Sequence, residues 1–136
     1  MAETLQKNKQ RPVYRNIAMT DLAHYRLPLP GIASIAHRIS GVALFVFMIF
    51  LLPMLQMSLK SDTGFDAFRS VIWANPIAKI VLLGLLLALV YHLFAGIRHM
   101  IQDGNKWLDL DTSKKTAAVV FALSAVVTAV IAWRLW

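Results

Sequence analysis

The sequence predicts an all-α membrane protein with three transmembrane helices. Hydrophobic residues make up 58% of its 136 residues and charged residues 15%, against about 45–50% and 25% in typical soluble domains. Three stretches of 21, 18 and 18 residues contain no Lys, Arg, Asp or Glu, at 39–59, 80–97 and 116–133. Because about 20 mostly apolar helical residues cross roughly 30 Å of hydrocarbon, each stretch fits one span. We expect these spans to cover residues 32–58, 76–100 and 114–135.

The rest of the chain forms a tail and two connections. Residues 1–31 are a polar, proline-containing tail, which we expect to lie in the cytoplasm and to precede a helical domain at 32–136. No part of the tail resembles a cleaved signal peptide, because the first apolar stretch is longer than the apolar core of such a peptide. The chain has no cysteine, which excludes disulfides and iron–sulfur ligation by its own side chains.

The connection between the first two spans carries apolar residues at helical spacing. Their positions predict a short helix along the membrane interface, and they are Phe65, Phe68, Val71 and Ile72. Asn75-Pro76 follows, and since proline is favoured in the first turn of a helix, we expect the second span to begin there.

Positive charge is distributed unevenly between the two sides of the spans. Ten of the 14 Lys and Arg residues lie before or at the start of the first span, or around the connection between the second and third. By the positive-inside rule, the N-terminus is then cytoplasmic and the C-terminus is outside. Trp107 falls near the inner interface, and Trp73, Trp133 and Trp136 fall near the outer one. The net charge of +7 therefore indicates contact with a lipid bilayer rather than with nucleic acid.

The second span has one face of small residues that also carries a histidine. The residues of this face recur every four positions and are Gly84, Ala88, His92, Gly96 and Met100. His92 lies about seven residues inside the cytoplasmic end, roughly 10 Å into the hydrocarbon. An ionisable side chain at that depth is a candidate functional group. Three interpretations stay open for His92: ligand of a haem iron, hydrogen bond to a helix packed on the small residues, and proton relay.

The first span begins with polar residues on one helical face. They are spaced i, i+3, i+4 and i+7, and they are Ser34, His37, Arg38 and Gly41. We place His37 at the extreme cytoplasmic end of the span, so we expect no histidine of another span to face His92. A second iron ligand would then come from another chain.

Two further residues, Arg98 and His99, lie at the same depth on the second span. The predicted cluster of hydrogen-bond donors is Ser34, His37 and Arg38, and the presence of these two residues at the same depth supports it. Such a cluster can bind the carboxylates of a haem or polarise a quinone carbonyl. The alternative is an interfacial anchor, because arginine at a helix end routinely extends to the lipid headgroups.

Two segments, SIAHRISGV and YHLFAGIRHMIQD, resemble the cytochrome b556 subunits of succinate dehydrogenase, respiratory complex II. That family carries Ser-x-x-His-Arg-x-Ser/Thr-Gly at the start of its first span. It also carries His-x-x-x-Gly-x-Arg-His, followed by Asp, at the end of its second. Here the first motif runs from Ser34 to Gly41, and the second runs from His92 to His99 with Asp103. With three spans as well, the resemblance covers nearly the whole chain.

The resemblance implies a membrane anchor without catalytic activity of its own, in a bacterial cytoplasmic membrane. In that family a flavoprotein subunit oxidises succinate and an iron–sulfur subunit passes the electrons on. Two small anchor subunits share one helical bundle that holds haem b and a quinone, with ubiquinone favoured.

The resemblance also implies roles for residues around the haem. His92 would be the axial ligand of haem b from this chain, and a histidine of the sister anchor subunit would be the second ligand. His37, Arg38 and His99 would lie near the haem propionates.

Three residues receive roles in quinone chemistry from the same resemblance. Ser34 and Arg38 match positions that line the quinone site, and Asp103 is a candidate for a proton path to the quinone. Two alternative functions remain. The chain could be the anchor of a quinol:fumarate reductase, or a non-redox packing or assembly subunit.

Overall fold

The structure, a computed structural model, describes residue 20, residues 25–105 and residues 109–135. These residues form four α-helices and no strand: α1 Leu29–Lys60, α2 Asp62–Ala74, α3 Pro76–Asn105 and α4 Leu110–Leu135. Because α1, α3 and α4 are each long and apolar enough to cross a membrane, the predicted all-α class and three spans are confirmed. Most of the predicted tail, together with Trp107 and Trp136, lies outside the described residues.

Helix boundaries follow from local capping chemistry. α1 starts beside Pro28 with a proline in its first turn, where no intrahelical N–H is required. The Ser61 hydroxyl accepts a hydrogen bond from the Gly64 amide at 3.1 Å and caps α2. The Asn75 side chain accepts from the Ile77 amide at 2.9 Å, so α3 begins at Pro76, as the sequence predicts.

The start of α4 is capped by a carboxylate. Asp109 Oδ2 accepts hydrogen bonds from the amide and the hydroxyl of Thr112, both at 2.9 Å. These bonds stabilise the ionised form, so they hold the pKa of Asp109 below its usual value. A negative charge at a helix N-terminus also complements the helix dipole.

The short helix α2 confirms that the connection after the first span is helical. Its apolar residues include Phe68 and Ile72, which lie beside the C-terminal part of α1 and the N-terminal part of α3. Together the three helices line an open apolar cavity of about 460 Å³. This cavity lies away from the histidines, and its described lining contains no ionisable side chain.

The buried core of the chain lies where α3 packs against both α1 and α4. Tyr91, Ala95 and Val120 form its centre. The Tyr91 ring stacks on Phe121 of α4 at 5.1 Å, while its hydroxyl donates to the Ala33 carbonyl of α1 at 2.8 Å. One side chain of α3 therefore contacts both neighbouring helices.

Elsewhere the long helices present large apolar side chains outward. Phe45, Ile49 and Ile80 are about 70% exposed, and none of the residues in the most apolar part of α1 is buried within this chain. Such surfaces suit lipid tails or other apolar helices, as expected of segments whose backbone hydrogen bonds are all internal.

Candidate functional site

A histidine from α1 and a histidine from α3 stack face to face. The rings of His37 and His92 have centroids 4.1 Å apart and planes 15° from parallel. His99 lies close by, with its ring centroid 5.1 Å from that of His37. The expectation that no histidine of another span faces His92 is therefore wrong. Its physical reason is that α1 begins at Leu29, so His37 lies about two turns inside the helix rather than at its extreme end.

The Nδ1 atom of His92 is held by α1. It lies 3.0 Å from Ser40 Oγ and 3.2 Å from the main-chain oxygen of His37. Ser40 is buried, and its hydroxyl donates to the same His37 oxygen at 2.7 Å. Because that oxygen can only accept, and the serine proton is already used, both groups are acceptors for an Nδ1–H of His92.

This arrangement fixes the tautomer of His92. With the proton on Nδ1, the lone pair of Nε2 is available as a ligand or acceptor. Nε2 has no hydrogen-bond partner among residues 25–105 and 109–135. The imidazole is therefore anchored at one nitrogen and open at the other.

Glycines allow the two helices to approach at the histidines. A Cβ atom added to Gly41 would lie 2.9 Å from His92 Cε1, so any other residue would displace the ring. A Cβ on Gly96 would lie 3.6 Å from His37 Nε2, at ordinary contact. Around Gly84, by contrast, a Cβ would meet nothing within 4 Å in the described chain. At Gly96 this face of small residues therefore packs against α1. At Gly84 no part of the described chain covers it.

Ser34 and Arg38 lie on α1 beside the histidine stack. Ser34 is half-buried and Arg38 is exposed. Neither side chain has a hydrogen-bond or ion-pair partner among the residues that the structure describes. Both can therefore donate hydrogen bonds to a group outside this part of the chain. His37 differs, because its Nε2 is buried without a partner in the same part of the chain.

Arg98 takes no part in the predicted donor cluster of Ser34, His37 and Arg38. Its side chain is buried against α4, where Nε donates to Thr116 Oγ1 at 3.0 Å and Nη2 donates to the Ser113 carbonyl at 3.0 Å. Nη2 also lies 3.2 Å from Ser113 Oγ, which accepts from Gln102 at 2.9 Å. Arg98 points to α4 because it is one position, or about 100°, away from His99 around the helix.

Asp103 lies exposed near the end of α3, one turn beyond His99. In the described ranges its carboxylate forms no ion pair and no hydrogen bond. Its carboxylate is therefore accessible to solvent.

A haem group fits the donors at His92. Haem iron takes its equatorial ligands from the macrocycle and needs only one or two side chains from protein. His92 offers one open Nε2, and its Nδ1–H bonded to a main-chain oxygen is the usual arrangement of metal-ligating histidines. Within the described ranges, no three His, Asp or Glu side chains group as a metal site made by this chain alone.

Several residues of the site have functions that the sequence prediction did not assign. Ser40 forms a hydrogen bond with His92, and Tyr91 of α3 forms one with α1. Ser113 and Thr116 accept hydrogen bonds from Arg98. A signal existed for Ser40, since it follows His37 by three positions and so shares its face. Ser113 and Thr116 are also spaced i, i+3, but nothing in that spacing indicates a buried arginine as their partner.

Comparison with known proteins matches the sequence of this chain to one family. The family model described as succinate dehydrogenase/fumarate reductase transmembrane subunit matches residues 7–131. The chain is 32% identical over 129 residues to the succinate dehydrogenase cytochrome b556 subunit of Coxiella burnetii, covering 95% of this chain and 99% of that protein.

Two further relatives carry similar names. The cytochrome b556 subunit of Paracoccus denitrificans is 35% identical over 102 residues, with 75% and 78% of the two chains covered. The cytochrome b560 subunit of Reclinomonas americana is 31% identical over 134 residues, with 93% and 86% covered. With three helices able to span a membrane and a family match over most of its length, this chain belongs to the transmembrane subunits of succinate dehydrogenase and fumarate reductase.

Proposed function

We propose that this chain is the haem b-binding membrane anchor of a succinate dehydrogenase and forms part of its quinone-reduction site. The observation that carries the proposal is His92, whose Nδ1 is fixed by α1 and whose Nε2 is open. The names of the relatives support it, since they are cytochrome b subunits of succinate dehydrogenase.

His92 would hold the haem iron from this chain, and a histidine of a second anchor subunit would hold it from the other side of the bundle. When bound, haem b accepts and returns one electron at a time. Ser40 and the His37 carbonyl hold the imidazole in one orientation, with its proton on Nδ1 and the lone pair on Nε2. The haem propionates would be bound by polar side chains near His92, namely His37, Arg38 and His99.

Ser34 and Arg38 act on the quinone. Oxidation of succinate to fumarate releases two electrons and two protons, and a quinone takes up two of each to become a quinol. As electrons arrive, negative charge builds on the quinone oxygens, and donors fixed in a partly dehydrated site stabilise that charge. Arg38 and Ser34 have no competing partner in the described part of the chain, and Asp103 passes protons from water at the same end.

The remaining partners follow from this assignment. A flavoprotein subunit and an iron–sulfur subunit dock on the cytoplasmic side, so the electrons enter at the end that holds the histidines. The N-terminus faces the cytoplasm of a bacterial cell and the C-terminus faces outward. We favour succinate oxidation over fumarate reduction because the relatives above are all named for succinate dehydrogenase.

One observation supports a second candidate function, that of a non-redox packing subunit. The stack of His37 on His92 and the bond to Ser40 give His92 partners within the chain. Histidines used only for packing would hold α1 against α3 without any cofactor.

Purification of the complex through a tag on this chain separates the two candidates. The proposal expects three other subunits to copurify and the reduced-minus-oxidised absorption spectrum to show the bands of a b-type haem. A complex that contains the subunits but no haem would support the packing function and contradict the proposal.

A further inference from the structure

We propose that Ser40 is a positioning residue for His92, which sets the orientation of its imidazole and its strength as an iron ligand. The inference deepens the proposed function and rests on haem ligation by His92. It assigns a role to a serine whose hydroxyl never reaches the iron.

Ser40 is buried, and both of its contacts lie at the His92 ring and the adjoining turn of α1. Its side chain is 7% exposed and its Oγ bridges two groups, the His37 carbonyl at 2.7 Å and His92 Nδ1 at 3.0 Å. The first bond uses the only proton of the hydroxyl, so the lone pairs remain for His92. The hydroxyl thus accepts the Nδ1 proton, which it shares with the His37 carbonyl at 3.2 Å.

Gly41, the next residue, fixes the distance between ring and helix. An added Cβ would lie only 2.9 Å from His92 Cε1, so the ring lies directly on the backbone of α1. Ser40 contacts the His92 ring at Nδ1, and the missing side chain of Gly41 leaves room for Cε1. Any rotation of the imidazole would break the bond to Ser40 or press the ring into α1.

An acceptor at Nδ1–H changes the chemistry at Nε2. Partial withdrawal of the proton raises the basicity of the ring, so Nε2 binds iron more strongly. The ferric ion, with the higher charge, gains more from a stronger donor than the ferrous ion does. Ser40 should therefore strengthen haem binding and lower the midpoint potential of the haem.

A second buried serine provides a matched control. Ser124 is 1% exposed in α4, and its hydroxyl donates to the Val120 carbonyl of its own helix at 2.7 Å. Like Ser40 it makes a bond within its helix, but it has no histidine partner. Ser124→Ala therefore measures the loss of a buried hydroxyl alone.

The test uses the purified complex with Ser40→Ala, Ser40→Thr and Ser124→Ala. Loss of an outer partner of a metal-ligating histidine typically weakens metal binding about 10–100-fold. We expect Ser40→Ala to release ferric haem to excess apomyoglobin at least about 10-fold faster, and to raise the midpoint potential in a redox titration. Ser40→Thr keeps the hydroxyl and should restore both values, and Ser124→Ala should match the wild type.

The outcomes separate this inference from the proposed function. If the wild type holds haem b but Ser40→Ala and Ser124→Ala behave alike, Ser40 has no positioning role and haem ligation by His92 stands. If the wild type holds no haem, both are overturned. Should Ser40→Ala fail to assemble, Ser40→Cys tests the same point, because a thiol is a weaker acceptor. A wild-type potential and haem-release rate in Ser40→Cys would overturn the inference.

Discussion

His92 is constrained on three sides by a short segment of α1. Its Nδ1 is bonded to Ser40 and to the His37 carbonyl, its face is covered by the His37 ring, and its edge lies on Gly41. These contacts come from one helical turn, so the segment acts as a rigid seat for a single side chain. Nε2, by contrast, has no hydrogen-bond partner among the described residues, and under the proposed function it is the atom that would bind the haem iron.

Ser34 and Arg38 provide a test at the scale of single residues. Removing one donor to developing charge typically lowers a rate about 10²–10³-fold. We expect Ser34→Ala and Arg38→Leu to reduce succinate–quinone turnover by that order in the purified complex. Succinate oxidation with an artificial acceptor that takes electrons before the quinone should stay near normal, because that path never enters the membrane.

Arg38→Lys separates quinone chemistry from anchoring. An ammonium group extends to lipid headgroups as well as a guanidinium does, but it lacks the planar fork. Quinone binding predicts a clear loss of turnover, whereas an interfacial anchor predicts almost none. Normal quinone turnover in both Ser34→Ala and Arg38→Lys would move the quinone site elsewhere.

The sequence could identify the polar residues of the site but not all of their contacts. Helical spacing correctly placed His37 and Gly41 on one face of α1. Spacing alone does not say where two helices cross, so it does not predict the stack of His37 on His92. It also cannot tell which neighbour a long side chain reaches, and Arg98 turned to α4 instead of α1.

At the scale of helices, Arg98 fastens α3 to α4. Its buried guanidinium donates to Thr116 and Ser113, and Gln102 donates to Ser113 from the next turn of α3. A buried charge needs such partners, because it would otherwise lose its hydration without compensation. The contact fixes how α4 lies on α3 near the histidine end of the bundle.

Replacing Arg98 should therefore destabilise the complex. Hydrogen bonds to charged groups contribute about 1.5–3 kcal/mol, so we expect Arg98→Ala to lower the Tm of the detergent-solubilised complex. Arg98→Lys should recover only part of the loss, because lysine lacks the fork that reaches both partners. Arg134→Ala is the control, since Arg134 is exposed in the last turn of α4. Equal Tm values for Arg98→Ala and Arg134→Ala would rule out the fastening role.

The helices themselves were predictable because their signals are local. The stretches without charged residues predict α1, α3 and α4, and Asn75-Pro76 predicts the start of α3. The helices extend beyond their apolar parts, and at the start of α4 a capping group explains the extension. Asp109 starts α4 before its apolar stretch begins.

At the scale of the whole molecule, burial and exposure divide the chain. The histidines lie between α1 and α3, and the buried Arg98 lies between α3 and α4. Many large apolar side chains, by contrast, are exposed. At the opposite end of the bundle, Trp73 of α2 and Leu135 of α4 line one cavity. The predicted outer ends of these two helices therefore lie together, as a single orientation in the membrane requires.

Reporter fusions test that orientation. The distribution of Lys and Arg predicts a cytoplasmic N-terminus and an external C-terminus. A reporter that is active only outside the cytoplasm should be active after Trp136 and silent when inserted at Lys106. The reverse pattern would contradict the topology and would place the histidine cluster at the outer surface, away from the subunits that deliver electrons.

The most direct test of the central claim is the absorption spectrum of the complex carrying His92→Leu. Leucine fills a similar space in an apolar setting but has no lone pair for iron. We predict that the b-type bands are lost or strongly perturbed, while the other subunits still copurify. His24→Ala, which changes a histidine of the tail, should keep the wild-type spectrum. A wild-type haem spectrum in His92→Leu would contradict the assignment of His92 as the ligand.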